Sequence, residues 1–316
     1  MKNQPEDRMS SSTDFSRASY RAHEHGYDAY TASGPKSSQA AAWLKAGTVN
    51  HWRFERMYRL ADPLLEIFPG ATWLTVGDGR YGLDAQYLNS HGAEALPTDI
   101  SVSLLAEAKA QATIADYRKE NAESLSFADE SFDFVLCKES YHHFPRPMVA
   151  LHEMIRVARH GVLLIEPNDQ ELPDSFATIL SRSMKSIVKK LLGRSTNGHR
   201  FEELGNYVYG ISRREIEKVA LGMGLPVVAF RGLNDFYLPG VEFAAAENGD
   251  NLFRKVRARI ARYDLLCSLG ISQYGLLGAL ILKDCENKRL FGQLKRSGFD
   301  VVLLPRSPAL GNDRLR

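Results

Sequence analysis

The stretch Trp73-Leu-Thr-Val-Gly77-Asp78-Gly79-Arg80-Tyr81-Gly82 decides how this chain is read. An apolar, β-branched run enters a turn spaced G-x-G-x-x-G, and a helical pattern follows from Leu83. Strand, glycine turn and helix in that order open a nucleotide-binding α/β sheet. The glycines let the backbone come close to a ligand, and the helix N-terminus offers unpaired N–H groups to polar or anionic atoms. Such turns also serve as plain punctuation, so the flanking sequence has to carry the reading.

Upstream, residues 37–46 and 49–68 have helical patterns, with Pro63 expected to kink or break the second. Before them the chain is polar and expected to be mobile to about Ser19. His23 and His25 are read as surface histidines, because no third metal ligand lies nearby. Downstream, a short strand at 94–97 ends in Thr98-Asp99-Ile100-Ser101. Asp99 thus stands roughly twenty residues past Gly77, where a carboxylate accepts both hydroxyls of a ribose. The competing reading is that Asp99 or Ser101 caps the helix over 102–112.

A weak strand at 116–121, a clear one at 132–137 and a fully buried one at 161–165 continue the alternation, with an amphipathic helix at 147–158. This spacing implies a parallel sheet with right-handed crossovers. Beyond it lie a basic helical pattern at 174–192 and a polar loop at 195–210. Ser212 and Glu215 form a capping box for a helix to Gly222. Strands at 225–230, 276–283 and 299–304 and helices at 251–266 and 287–297 complete the chain.

Apolar and charged fractions of 44% and 25% are ordinary for a globular protein, and a net charge of +2 gives no reason to expect nucleic acid. Cys137, Cys267 and Cys285 are scattered and odd in number, which points to a reducing, cytoplasmic setting. The N-terminus has no apolar signal region, and no apolar stretch is long enough to span a bilayer, so stable membrane insertion is not expected.

The run Asn121-Ala-Glu123-Ser-Leu125-Ser-Phe127-Ala-Asp-Glu-Ser131-Phe132-Asp133, followed by Tyr141-His142-His143-Phe144-Pro145 and Ala150-Leu151-x-Glu153-Met-x-Arg156-Val, resembles class I S-adenosylmethionine (SAM)-dependent methyltransferases. In particular it is similar to the ubiquinone/menaquinone-biosynthesis type that acts on small molecules. The resemblance implies an α/β, Rossmann-like fold: a mostly parallel seven-stranded sheet with helices on both faces. It implies a mobile arm at 1–35, a helical cap at 36–70, a SAM-binding domain at 71–305 with inserts at about 168–210 and 232–271, and a tail at 306–316. SAM would be the cofactor and S-adenosylhomocysteine (SAH) its product.

The same resemblance implies residue roles. Gly77, Asp78 and Gly79 would pass the methionine part, Asp99 would hold the ribose and Ile100 would lie against the adenine. Asn121, Ala122 and Glu123 would line the adenine edge, and Lys138 would lie near the sulfonium. Three departures stand out. Thr75 replaces an acidic residue, with Asp78 as its expected substitute. Tyr81 replaces the third glycine of the usual pattern, which implies a wider turn with Gly82. Asn121 replaces an aspartate, but its side-chain oxygen still accepts a bond.

Methyl transfer needs a nucleophile in line with the S–CH3 bond and, for a hydroxyl, a base. Ligands bind beyond the carboxyl ends of parallel strands, which here carry His142, His143 and Glu166. His143, favoured slightly over His142, is the candidate base and Glu166 its orienting partner, although paired histidines also serve only to position a loop. Tyr141, Asn168, His199, Tyr207 and Tyr209 are the candidate substrate contacts. No spacing is diagnostic of a metal. Methyl transfer to a small molecule, at oxygen rather than nitrogen, leads. A nicotinamide-dependent oxidoreductase and a non-catalytic methyltransferase-like binding protein are the competitors.

Overall fold

Side chains alternate across a strand, and here both faces of the central strands are apolar. The computed structural model describes residues 12–31, 33–34, 36–170, 201 and 207–306. Strands β1 (Thr72–Val76), β2 (Glu94–Asp99), β3 (Arg118–Lys119), β4 (Phe132–Lys138) and β5 (Ala158–Pro167) run parallel. Strands β6 (Val227–Leu233), β7 (Leu276–Leu282) and β8 (Asp300–Leu303) join antiparallel on the β5 side. The order is β3-β2-β1-β4-β5-β7-β6-β8, so the sheet has eight strands rather than seven. The eighth is the closing apolar segment, which finds a free edge on β6.

Leu74, Val76, Val135, Cys137, Val162 and Leu164 pack on one face with helix α7 (Pro147–Val157), whose Leu151, Met154 and Ile155 are buried. Trp73, Phe134, Leu136, Leu163 and Ile165 occupy the other face with Leu64, Leu290 and Leu294. A sheet buried on both sides needs continuous apolar runs, which is why β4 and β5 were plain in the sequence. β3 is only two exposed residues on the edge, shorter than the 116–121 expectation.

The helix expected over 49–68 is two helices, α3 (Val49–Tyr58) and α4 (Asp62–Ile67). Pro63 does not kink a continuous helix but sits in the first turn of α4, where its missing N–H costs nothing. Helices α5 (Leu83–Ser90) and α6 (Ser103–Ala110) follow β1 and β2. The Ser212 cap is present, its hydroxyl accepting from Glu215 N at 3.2 Å at the start of α8 (Arg213–Gly222). The expected helix at 174–192 lies outside the described residues.

The largest departure is at the N-terminus. Residues 12–28, which include part of the expected mobile stretch, form helix α1 (Ser12–Asp28). It docks through both kinds of contact: Ser16 donates to Glu123 at 3.3 Å and Glu24 pairs with Lys119, while Tyr20 and Tyr27 pack against apolar clusters of the sheet domain. Only a few aromatic residues mark its buried face, too sparse a stripe for periodicity to detect.

Candidate active site

Strand order reverses between β1 and β4, and open α/β sheets bind ligands above that switch point. The glycine turn stands there. Thr98 O accepts from Gly77 N at 2.9 Å and Asp78 N at 3.0 Å, which fixes the turn to the end of β2. Gly77 has φ +79°, and a Cβ there would lie 2.3 Å from Ser140 Cβ; a Cβ on Gly79 would lie 2.7 Å from Asp99 Oδ2. Both glycines are therefore required by close approach.

Tyr81 and Gly82 adopt consecutive left-handed conformations, φ +60° and +66°, so the turn does widen at the unusual residue. The Tyr81 ring is buried with Trp43, Leu104 and Leu105, and its hydroxyl reaches Glu107 at 3.4 Å. Burial of that ring offsets the strain of a non-glycine residue at positive φ.

Asp78, the expected substitute for the acid, is engaged within the chain. It accepts from Thr75 Oγ1 at 2.8 Å, Asp84 N at 3.2 Å and Ala85 N at 2.9 Å, and so secures the start of α5. Burial first, then the nearby Asp84, raises its carboxyl well above the ordinary range.

A cleft with an empty volume of about 510 Å³ opens beside the turn. Val76, Gly77, Thr98, Asp99, Ile100, Glu120 and Ala122 form one side; Ser140, His143 and Phe144 form another. Ser19, Tyr20, His23 and Tyr27 of α1 roof it. Asp99 is buried, and Oδ1 accepts from Ser101 N at 2.7 Å. Burial pushes its carboxyl up to about 6, against the pull of the Ser101, Gly79 and Ile100 amides. An acceptor-only carboxylate beside Val76, Ile100 and Ala122 fits a ribose next to a flat apolar base, so these residues suit the adenosine part of SAM.

Asn121 and Glu123 fall short of the cleft wall. Asn121 Oδ1 accepts from Glu123 N at 2.9 Å, and Glu123 holds Arg146 Nε at 2.6 Å and Arg146 N at 2.9 Å. The side-chain oxygen expected to meet the adenine is thus spent on its own turn. Lys138 is turned away as well: it pairs with Asp84 at 3.2 Å and lies over the rings of Phe54 at 4.7 Å and Tyr58 at 5.0 Å.

Past β4 a short 3-10 turn, Tyr141–His143, is organised by Glu166. This fully buried carboxylate accepts from Ser140 N at 2.8 Å and Tyr141 N at 2.9 Å through Oε1, and holds His142 Nδ1 at 2.6 Å through Oε2. Glu166 thus holds the loop and His142, and His143 is the member of the trio that lines the cleft. Its ring lies 5.3 Å from that of His23 on α1. Tyr141, expected as a substrate contact, is a buried core residue with its hydroxyl against Met148 Sδ at 3.7 Å.

Asn168, Tyr207 and Tyr209 are brought together in a second depression with Asp169, Glu215 and Gly275. It adjoins the 3-10 turn, since Tyr209 N donates to His142 O at 3.4 Å. His199 lies outside the described residues. Sequence reading missed Glu120, Ser140, Phe144 and the four α1 residues. The spacing of Tyr20, His23 and Tyr27 along one helical face was the available signal.

Comparison with known proteins agrees with this geometry. Residues 74–165 match the family model described as a methyltransferase domain. A demethylmenaquinone methyltransferase from Renibacterium salmoninarum is 29% identical over 164 residues, covering 52% of this chain and 67% of that protein. A ubiquinone biosynthesis O-methyltransferase from Cereibacter sphaeroides is 34% identical over 114 residues, covering 36% and 44%. The chain spans about half the length of the curated relatives it matches. Among solved structures, magnesium protoporphyrin IX methyltransferase from Synechocystis aligns at TM-score 0.49 and 12% identity, covering 83% of this chain and 99% of that one. Turn, cleft and matched residues together define a methyltransferase domain. Residues 74–165 are similar to the methyltransferase domain over that span.

Proposed function

We propose that the protein transfers the methyl group of SAM to a hydroxyl of a small-molecule acceptor. The observation that carries the reading is the buried Asp99 carboxylate facing a cleft at the switch point beside Gly77 and Gly79. The names of two relatives, both O-methyltransferases, support oxygen as the acceptor atom. Three free cysteines fit a reducing, cytoplasmic setting.

When bound, SAM supplies a sulfonium-activated methyl electrophile that needs no metal. Asp99 would accept the ribose hydroxyls, with Ile100 and Ala122 against the adenine. Gly77 and Gly79 would give the methionine part room along the turn. His143, in the cleft wall, would take the acceptor's proton. Glu166, through His142 and the Ser140 and Tyr141 amides, would fix the loop that carries His143. Helix α1 would exclude water from above, and Asn168, Tyr207 and Tyr209 would meet the acceptor.

Calorimetry tests the reading without an identified acceptor. One SAH should bind per chain and NAD should not, and Asp99→Asn should weaken SAH about tenfold or more. Absence of SAH binding at millimolar concentration would overturn it.

A further inference from the structure

The cofactor's amino-acid end carries an ammonium, and a buried ammonium requires acceptors. Among the described residues, Asp78, Asp84, Asp99, Glu107, Glu120 and Glu139 lie at the glycine turn or the cleft beside it; Glu107 is engaged by Tyr81 and Glu120 by Ser126. Asp78 is spent on Thr75 and two amides of α5. Asp84 is spent on Lys138 and Tyr58. Asp99 faces the part of the cleft lined by Ile100 and Ala122.

Glu139 is different. It follows directly on β4, and its non-glycine backbone is held at φ +52° by a bond from its N–H to Ile165 O at 2.9 Å. The next residue, Ser140, donates from Oγ to Gly77 O at 2.7 Å, so this segment lies against the glycine turn. Glu139 Oε1 is shielded from solvent and accepts no hydrogen bond. The nearest lysine is engaged elsewhere, since Lys138 is tied to Asp84 between two aromatic rings. Burial, with Glu166 nearby, raises the carboxyl, and His142 and Lys138 oppose that only in part. The buried Arg80 guanidinium also lies close enough to act on Glu139, yet Glu139 Oε1 accepts no hydrogen bond from it.

From this geometry we infer that Glu139 is the carboxylate that receives the α-ammonium of the cofactor, a role the glycine turn itself does not fill. The inference rests on the cleft being a SAM site.

The test is a two-by-two binding cycle: wild type and Glu139→Gln, each titrated with SAH and with its analogue lacking the α-amino group. Wild type should bind SAH about tenfold more tightly than the analogue, the usual scale for a hydrogen bond to a charged group. E139Q should lose that preference, binding SAH about tenfold more weakly and the analogue as wild type does. Thermal unfolding of E139Q should be no lower than that of wild type, since a buried charge is removed and no hydrogen bond to Oε1 is lost. Equal affinity of wild type for the two ligands, or an E139Q preference equal to that of wild type, would overturn the inference and leave the SAM reading intact. No binding of SAH by wild type would overturn both.

Discussion

Asp99, proposed as the ribose contact, would serve binding at the expense of stability. Its folded carboxyl titrates near 6 against an ordinary 3.8. A raised carboxyl stabilises the fold fully below its unfolded value, and that contribution is lost as pH rises from 3.8 to about 6. Asp99→Asn removes the cost of ionisation, so the ligand-free protein should gain on the order of 1–3 kcal/mol at pH 7, read from urea unfolding. The same variant should bind SAH more weakly, because a neutral amide is a poorer partner for two hydroxyls. For wild type the affinity should be flat above about 6 and fall as pH drops through that value. An affinity indifferent to pH between 5 and 7 would remove Asp99 from the ribose contact. Glu166 has the opposite balance. Glu166→Ala strands the Ser140 and Tyr141 amides in the interior, and should cost about 3–5 kcal/mol in denaturant unfolding.

Among the elements, the glycine turn and α1 matter most. In the turn, Tyr81→Gly relieves about 1 kcal/mol of left-handed strain but empties a ring-sized space worth about 3 kcal/mol or more. The variant should therefore be about 2 kcal/mol less stable, and a stabilised variant would mean that the ring contributes little. Helix α1 supplies four residues of the cleft roof, so a chain lacking residues 1–28 should stay folded by circular dichroism and bind SAH at least tenfold more weakly. The turn was readable because glycines mark it in any context. α1 was not, because its buried face is marked only by Tyr20, His23 and Tyr27 amid polar residues, and that spacing alone does not show that the helix will find a partner far along the chain. The bonds of Asp78 were not legible for a related reason. Its partners, Thr75 and the amides of Asp84 and Ala85, become visible only once α5 has a position.

At the scale of the whole molecule, the sheet and its switch point were legible because strands buried on two sides leave unbroken apolar runs, as at Val162, Leu163, Leu164 and Ile165. β3 and the exact edge strands were not, since an exposed edge places little demand on sequence. Trp73 and Phe134 stack face to face at 4.9 Å under β1 and β4, so Trp73→Ala should cost about 3–5 kcal/mol and unfold the two layers together. The proposed roles of Glu139 and His143 depend on what the finished sheet places beside the turn, which no spacing rule encodes.

The most direct measurement is a crystal structure of the protein with SAH bound. The account predicts both ribose hydroxyls on the Asp99 carboxylate, the amino-acid end along Gly77 and Gly79, and the His143 imidazole facing the sulfur side of the cleft. SAH bound elsewhere on the sheet, or bound here with its ribose away from Asp99, would contradict it.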